Sequence, residues 1–179
     1  MSMFVLKTIV AGEGGIGKTS IVRSFMDQTF TKDYKLTIGV DISSKTVSIG
    51  DNSLTFSVHD IAGQKRFSEA KTLFMRGTHL ALLVFDLTRR DTLDNLREYW
   101  IKPLLDMCPD VICVLVGNKS DLKDLRVFSE SEGKDTLKEL RKQFSKATFL
   151  QYIETSALYN QNVNQSFELL GKKFLEKSK

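Results

Sequence analysis

"GEGGIGKTS", residues 12–20, sets Gly12, Gly14, Gly15 and Gly17 directly against Lys18, Thr19 and Ser20. It follows an apolar run, "FVLKTIVA" (4–11), and precedes Ile21, Val22, Phe25 and Met26 at helical spacing. A glycine-rich turn between a strand and a helix with the spacing G-x-x-x-x-G-K-[ST] is a phosphate cradle. Glycines let backbone N–H groups turn inward without a Cβ in the way, and the helix N-terminus favours an anion. Lys18 would neutralise the terminal phosphates, and Thr19 would offer its hydroxyl to Mg²⁺. The loop specifies a phosphate and is silent about the base.

The rest of the chain alternates short apolar runs with longer amphipathic ones. "VDISSKTVSI" (40–49) and "SLTFSVHDI" (53–61) flank the turn signal "GDN" and read as a hairpin. "LALLVFDL" (80–87) and "VICVLVGN" (111–118) are continuous apolar runs, as strands buried on both faces of a parallel sheet are. Between them Leu93, Leu96, Trp100, Leu104 and Leu105 follow a helical stripe. Ser129 and Glu132 form a capping box opening a helix to about Lys146. "TFLQYIET" (148–155) reads as the last strand and "VNQSFELLGKKFLEK" (163–177) as the closing helix. The expected fold is therefore α/β: a doubly wound, mostly parallel sheet with one antiparallel edge strand and helices on both faces, in a single domain over 1–179. Ligands of such sheets sit at the carboxyl ends of the strands, which names the loops to read.

"NKSD" (118–121) follows the apolar strand at 111–117. A fixed carboxylate at Asp121 can accept from guanine's N1–H and 2-amino group, whereas adenine has no 2-amino group and an acceptor at N1. "ETSA" (154–157) follows the last strand, and the short side chains of Ser156 and Ala157 would let the backbone donate to guanine O6. In "DIAGQ" (60–64), Asp60 can hold Mg²⁺ through water, Gly63 can bring its amide to a γ-phosphate, and Gln64 can orient an attacking water. In "TFTKDYKLTIGVD" (29–41), Thr37 can bind Mg²⁺ and the γ-phosphate together; Phe30 either covers the base edge or belongs to the core.

These five loops, in this order, resemble the Ras superfamily of small GTPases over essentially the whole chain. "DQTFTKDYKLTIGVD", "AGQKRF" and "RGTHLALLVFDLT" look most like the Rab branch. The resemblance implies a P-loop NTPase fold with a mostly parallel six-stranded sheet and five helices around it, and two switch segments, about 31–41 and 60–76, held by GTP and Mg²⁺ and released when the γ-phosphate is lost. It also implies a nucleotide site in which Gly14, Gly15, Ile16, Gly17, Lys18, Thr19 and Ser20 hold the phosphates. Phe30, Asn118, Lys119, Asp121, Ser156, Ala157 and Leu158 would surround the base, and Thr37 and Gly63 would meet the γ-phosphate. Thr19, Thr37 and Asp60 would hold the metal. Hydrolysis would be in-line attack by a water placed by Gln64, with Lys18 and Mg²⁺ stabilising charge. No arginine stands in the phosphate loop, so intrinsic turnover would be slow and a GAP arginine finger would accelerate it. Effectors would read the switches, and an exchange factor would complete the cycle, plausibly in membrane trafficking. Against the Rab pattern, His59 replaces the usual Trp, Ile42 the usual Phe and Ile61 the usual Thr.

Other classes fall away or remain as alternatives. The net charge of +4 comes from mixed signs along most of the chain, so no nucleic-acid role is expected. The locally basic "GKKFLEKSK" is either a solvated helix end or a patch for a membrane surface or partner. Cys108 and Cys113 make no metal-ligand pattern and read as free buried thiols, which points to the cytoplasm. No cysteine near the carboxyl end is available for prenylation, so either a lipidated tail lies beyond this sequence or the protein is peripheral to membranes without one. A GTP-binding interaction module without useful hydrolysis is the alternative to a switch, and a P-loop ATPase or kinase would need adenine preference.

Overall fold

The structure, a computed structural model, describes residues 2–28, 37–63 and 68–178, those at 68–71 by backbone only. Its sheet has six strands in the order β2-β3-β1-β4-β5-β6: β1 (Met3–Ala11), β2 (Val40–Ile49), β3 (Asn52–Ile61), β4 (Leu80–Asp86), β5 (Ile112–Asn118) and β6 (Thr148–Thr155). All neighbours pair in parallel except the edge hairpin β2–β3. The sheet matches the architecture expected from the alternation of apolar runs, and the strand limits differ by a residue or so.

Alternation within each strand divides the apolar side chains between two cores. Ile9, Leu83, Phe85 and Leu115 face one way, onto α2 (Ser68–Met75), α3 (Asp91–Leu96), the π-helical turn Arg97–Ile101, α4 (Lys102–Met107) and α5 (Glu130–Gln143). Leu6, Val10, Leu82 and Val114 face the other, onto α1 (Lys18–Phe25) and α6 (Val163–Lys177). In the second core Phe25 stacks on Phe167 with centroids 3.7 Å apart, and Phe56 meets both edge-on. Truncating Phe167 to alanine removes this junction. The expected loss is about 3–5 kcal/mol, read as a melting temperature lower by roughly 10 °C.

Two helical expectations are corrected. The stripe from Leu93 to Leu105 is buried on one side as expected, but it is not one α-helix. A π-turn spans Arg97–Ile101, just before Pro103 at the start of α4. Proline removes the bond to the carbonyl four residues back and crowds it, and a wider turn there accommodates both. α5 stops at Gln143, short of Lys146, because Phe144 leaves helical geometry (φ −123°) to pack against the core. Its start is as expected: Ser129 Oγ accepts from Glu132 N at 3.2 Å, and the Glu132 carboxylate accepts from Ser129 N at 2.7 Å. The Ser129 N–H and hydroxyl, which both donate to this carboxylate, and the Arg90 guanidinium hold the Glu132 carboxyl down at about 2.

Because β1, β3, β4, β5 and β6 run in one direction, the loops that follow them leave the same edge. Val40 of antiparallel β2 pairs with Ile61, so the residues entering β2 reach that edge as well.

Candidate functional site

The loop after β1 turns through Gly12, Gly15 and Gly17, at φ 149°, 73° and 96°. Its outward carbonyls are each held by a different side chain. Arg89 Nη2 donates to Gly14 O at 3.0 Å, Lys119 Nζ to Gly15 O at 2.9 Å, and Asn118 Nδ2 to Ile16 O at 2.9 Å. In a trans peptide the N–H points opposite to the preceding C=O, so pinning these three carbonyls turns the N–H groups of Gly15, Ile16 and Gly17 to the other face. A concavity of successive amides at a helix N-terminus accepts an anion. Lys18, almost fully buried, crosses the loop to Glu13 O at 2.7 Å.

Beside the loop, Thr19 Oγ1 lies 2.9 Å from Thr37 Oγ1 and donates to Asp60 Oδ2. The other carboxylate oxygen, Asp60 Oδ1, is buried with no hydrogen-bond partner among the described residues. Burial pushes the Asp60 carboxyl upward, against the Thr19 hydrogen bond and the charge of Lys18. Two hydroxyls and a carboxylate with one oxygen unpartnered are hard oxygen donors, and they fit a Mg²⁺ that keeps several waters. Gly63 approaches the glycine loop so closely that a Cβ on it would lie 2.3 Å from Gly14 N.

The loops after β5 and β6 are fastened to each other and to the first. Thr155 Oγ1 donates to Asn118 Oδ1 at 2.9 Å, using the amide end that does not hold Ile16. Ser156 Oγ donates to Asp121 Oδ1 at 2.6 Å. Lys119 sits at φ 68°, a left-handed backbone that side chains rarely adopt, and its ammonium meets Asp86 Oδ2 at 2.7 Å. A cleft of about 250 Å³ opens alongside, lined by Ser20, Ser24, Asp27, Gln28, Ala157, Leu158 and Asn160.

Every expected site residue among those described therefore lies on this one edge: Gly14 to Ser20, Thr37, Asp60, Gly63, Asn118, Lys119, Asp121 and Ser156 to Leu158. Phe30 and Gln64 lie outside the described residues. His59 is half-buried and its Nδ1 has no hydrogen-bond partner; burial, with the charge of Lys7, lowers its pKa. Ile38, Ile42 and Leu73 are exposed. Cys113 is buried and free as expected, whereas Cys108 is half-buried and bonds Met75 O. The residues that sequence reading passed over are Asp86, Arg89 and Asn95. Arg89 matters most, because the glycine loop has no arginine of its own and yet receives one from the β4–α3 connection. The available signal was Asp86 itself, a carboxylate closing an otherwise apolar buried strand.

The chain belongs to the Ras family, whose sequence model matches residues 7–176. It is a Rab-like small GTPase, a switch that binds and hydrolyses GTP. The Ras-related protein RABA6a of Arabidopsis thaliana is 39% identical over 165 residues, 92% of this chain and 67% of that protein. Ras-related protein Rab-25 of Homo sapiens is 37% identical over 175 residues, 97% of this chain and 78% of its own length. Ras-related protein Rab-1 of Theileria parva is 33% identical over 175 residues, 97% of this chain and 76% of its length. Members of the family bind GTP or GDP with Mg²⁺ and work through effectors, GAPs and exchange factors. No helix among the described residues is long and apolar enough to cross a membrane.

Proposed function

We propose that the six loops on this edge form one guanine-nucleotide site in a single G domain spanning 1–179. The observation that carries the reading is the fastening of the base loops to the phosphate loop through Asn118 and Lys119, which fixes base and phosphates at a set distance. The amides of Gly15, Ile16 and Gly17 and the ammonium of Lys18 hold the phosphates, with Thr19 and Ser20 at the helix start. Asp121, oriented by Ser156, accepts from the guanine edge, and the backbone at Ser156 and Ala157 donates to its O6, with Leu158 beside it; Phe30 covers the exposed edge of the base.

Thr19 and Thr37 would hold Mg²⁺, with Asp60 acting through water; when bound, the ion would neutralise phosphate charge. Thr37 and Gly63 sense the γ-phosphate, and Gln64 positions the water. Effectors read the segments at about 31–41 and 60–76, with exposed Ile38, Ile42 and Leu73 as their apolar contacts. Ile42 and His59 stand in place of the aromatic residues usual in the Rab branch, so the effector set differs in the shape it selects. A GAP, an exchange factor and a role at a membrane surface in trafficking complete the reading.

Denaturing the purified protein and separating the released nucleotide by chromatography tests the site. Guanine nucleotide at about one per chain is expected, mostly GDP; adenine nucleotide would break the base assignment. Gln64→Leu should slow single-turnover hydrolysis about 10-fold to 100-fold while leaving GTP binding intact. Equal hydrolysis rates would remove Gln64 from the mechanism.

A further inference from the structure

Asp86 is wholly buried at the end of β4, and every part of its carboxylate is used. Oδ1 accepts from Thr88 N at 2.9 Å and Thr88 Oγ1 at 2.7 Å. Oδ2 accepts from Lys119 Nζ at 2.7 Å and Arg89 Nε at 3.2 Å. Burial alone would raise this carboxyl, but the hydrogen bonds from Lys119 and Thr88 outweigh it and hold it below the usual carboxylate value. A buried anion with two cations is costly unless all three are held in place. Here both cations also donate to adjacent carbonyls of the glycine loop, Arg89 to Gly14 and Lys119 to Gly15. From the same side Asn95 Nδ2 donates to Glu13 Oε2 at 2.8 Å, so the residue before Gly14 is tied to α3.

We propose that Arg89 is a positioning residue for the nucleotide, acting through the phosphate loop. Anchored on Asp86, its guanidinium fixes the Gly14 carbonyl outward and so aims the Gly15 amide at the phosphates. This inference rests on the guanine-nucleotide reading given above. A cation on the carbonyl also polarises the peptide, which makes the Gly15 N–H a stronger donor. Asp86 makes the arrangement common property of two loops, since the same oxygen holds the lysine of the base-reading segment. Arg89 reaches the outer face of the loop rather than the anion face, so it shapes the cradle without touching the substrate. Its guanidinium is part-exposed, which leaves room to change it without opening the core.

The test follows release of a fluorescent GDP analogue from the full chain, loaded with Mg²⁺ and chased with excess GDP. Arg89→Met keeps the bulk and removes the charge; release about tenfold faster is expected, equivalent to roughly 1.4 kcal/mol. Arg89→Lys keeps the cation but not the two-armed reach, so it should release at an intermediate rate, slower than Arg89→Met. Release from Arg89→Met at the unmodified rate would overturn the proposal. So would equal acceleration in both variants, which would show that the cation at this position does not set the release rate. An unmodified chain that retains no guanine nucleotide would instead remove the underlying reading of the site.

Discussion

Replacing Asp121 with alanine is expected to lower GTP affinity about 10²–10⁴-fold while leaving weak ATP binding unchanged. In the proposed site this carboxylate accepts two hydrogen bonds from guanine. Bonds to a charged group contribute roughly 1.5–3 kcal/mol each, and every 1.4 kcal/mol is tenfold. The structure adds a reason to expect the upper half of that range. Ser156 is fully buried and its hydroxyl donates to Asp121 at 2.6 Å, so truncation strands a second polar group as well. Titration with fluorescent guanine and adenine nucleotides reads both arms. A variant that keeps GTP affinity within about threefold would show that the base is not read at Asp121.

Gly17→Ala should be a strongly destabilising single methyl group in the phosphate loop. Gly17 has φ 96°, and a Cβ there would lie 2.5 Å from Asn118 Nδ2. Holding an L-residue in the left-handed region costs roughly 1–2 kcal/mol. Pushing Asn118 aside would break its bonds to Ile16 O and Thr155 Oγ1, both buried, at about 1–3 kcal/mol for each polar group left unpaired. The expected sum, about 3–8 kcal/mol, is a large part of the roughly 5–15 kcal/mol that holds a typical domain folded. Thermal melting in the presence of GDP should therefore fall by about 10 °C or more. Gly14→Ala is the internal control, since a Cβ on Gly14 meets nothing within 4 Å among the described residues and should leave stability within about 0.5 kcal/mol. Equal melting temperatures for the two variants would refute the steric argument.

What the chain determined locally, it declared plainly. The glycines, Lys18 and Thr19 are contiguous, and their chemistry depends on neighbours along the backbone; the same holds for Asn118 to Asp121, for Ser129 with Glu132, and for apolar runs long enough to be buried strands. Parallel pairing then follows from alternation with helices, and it places the loops on one edge without further information. The helix stripe at Leu93–Leu105 was legible as a buried face, but its π-turn was not, because Pro103 acts on a carbonyl whose response depends on how Trp100 and Ile101 pack. Arg89 shows the limit most clearly. It stands 75 residues from Gly14, and nothing in "TRRD" distinguishes one exposed arginine from the next. Only the parallel register of β1 with β4, Val10 beside Leu82 and Ala11 beside Leu83, brings the two loops together. Local sequence determined which groups could bind a nucleotide. Tertiary structure decided which cations hold the cradle open, because a buried carboxylate such as Asp86 selects its partners by distance in space.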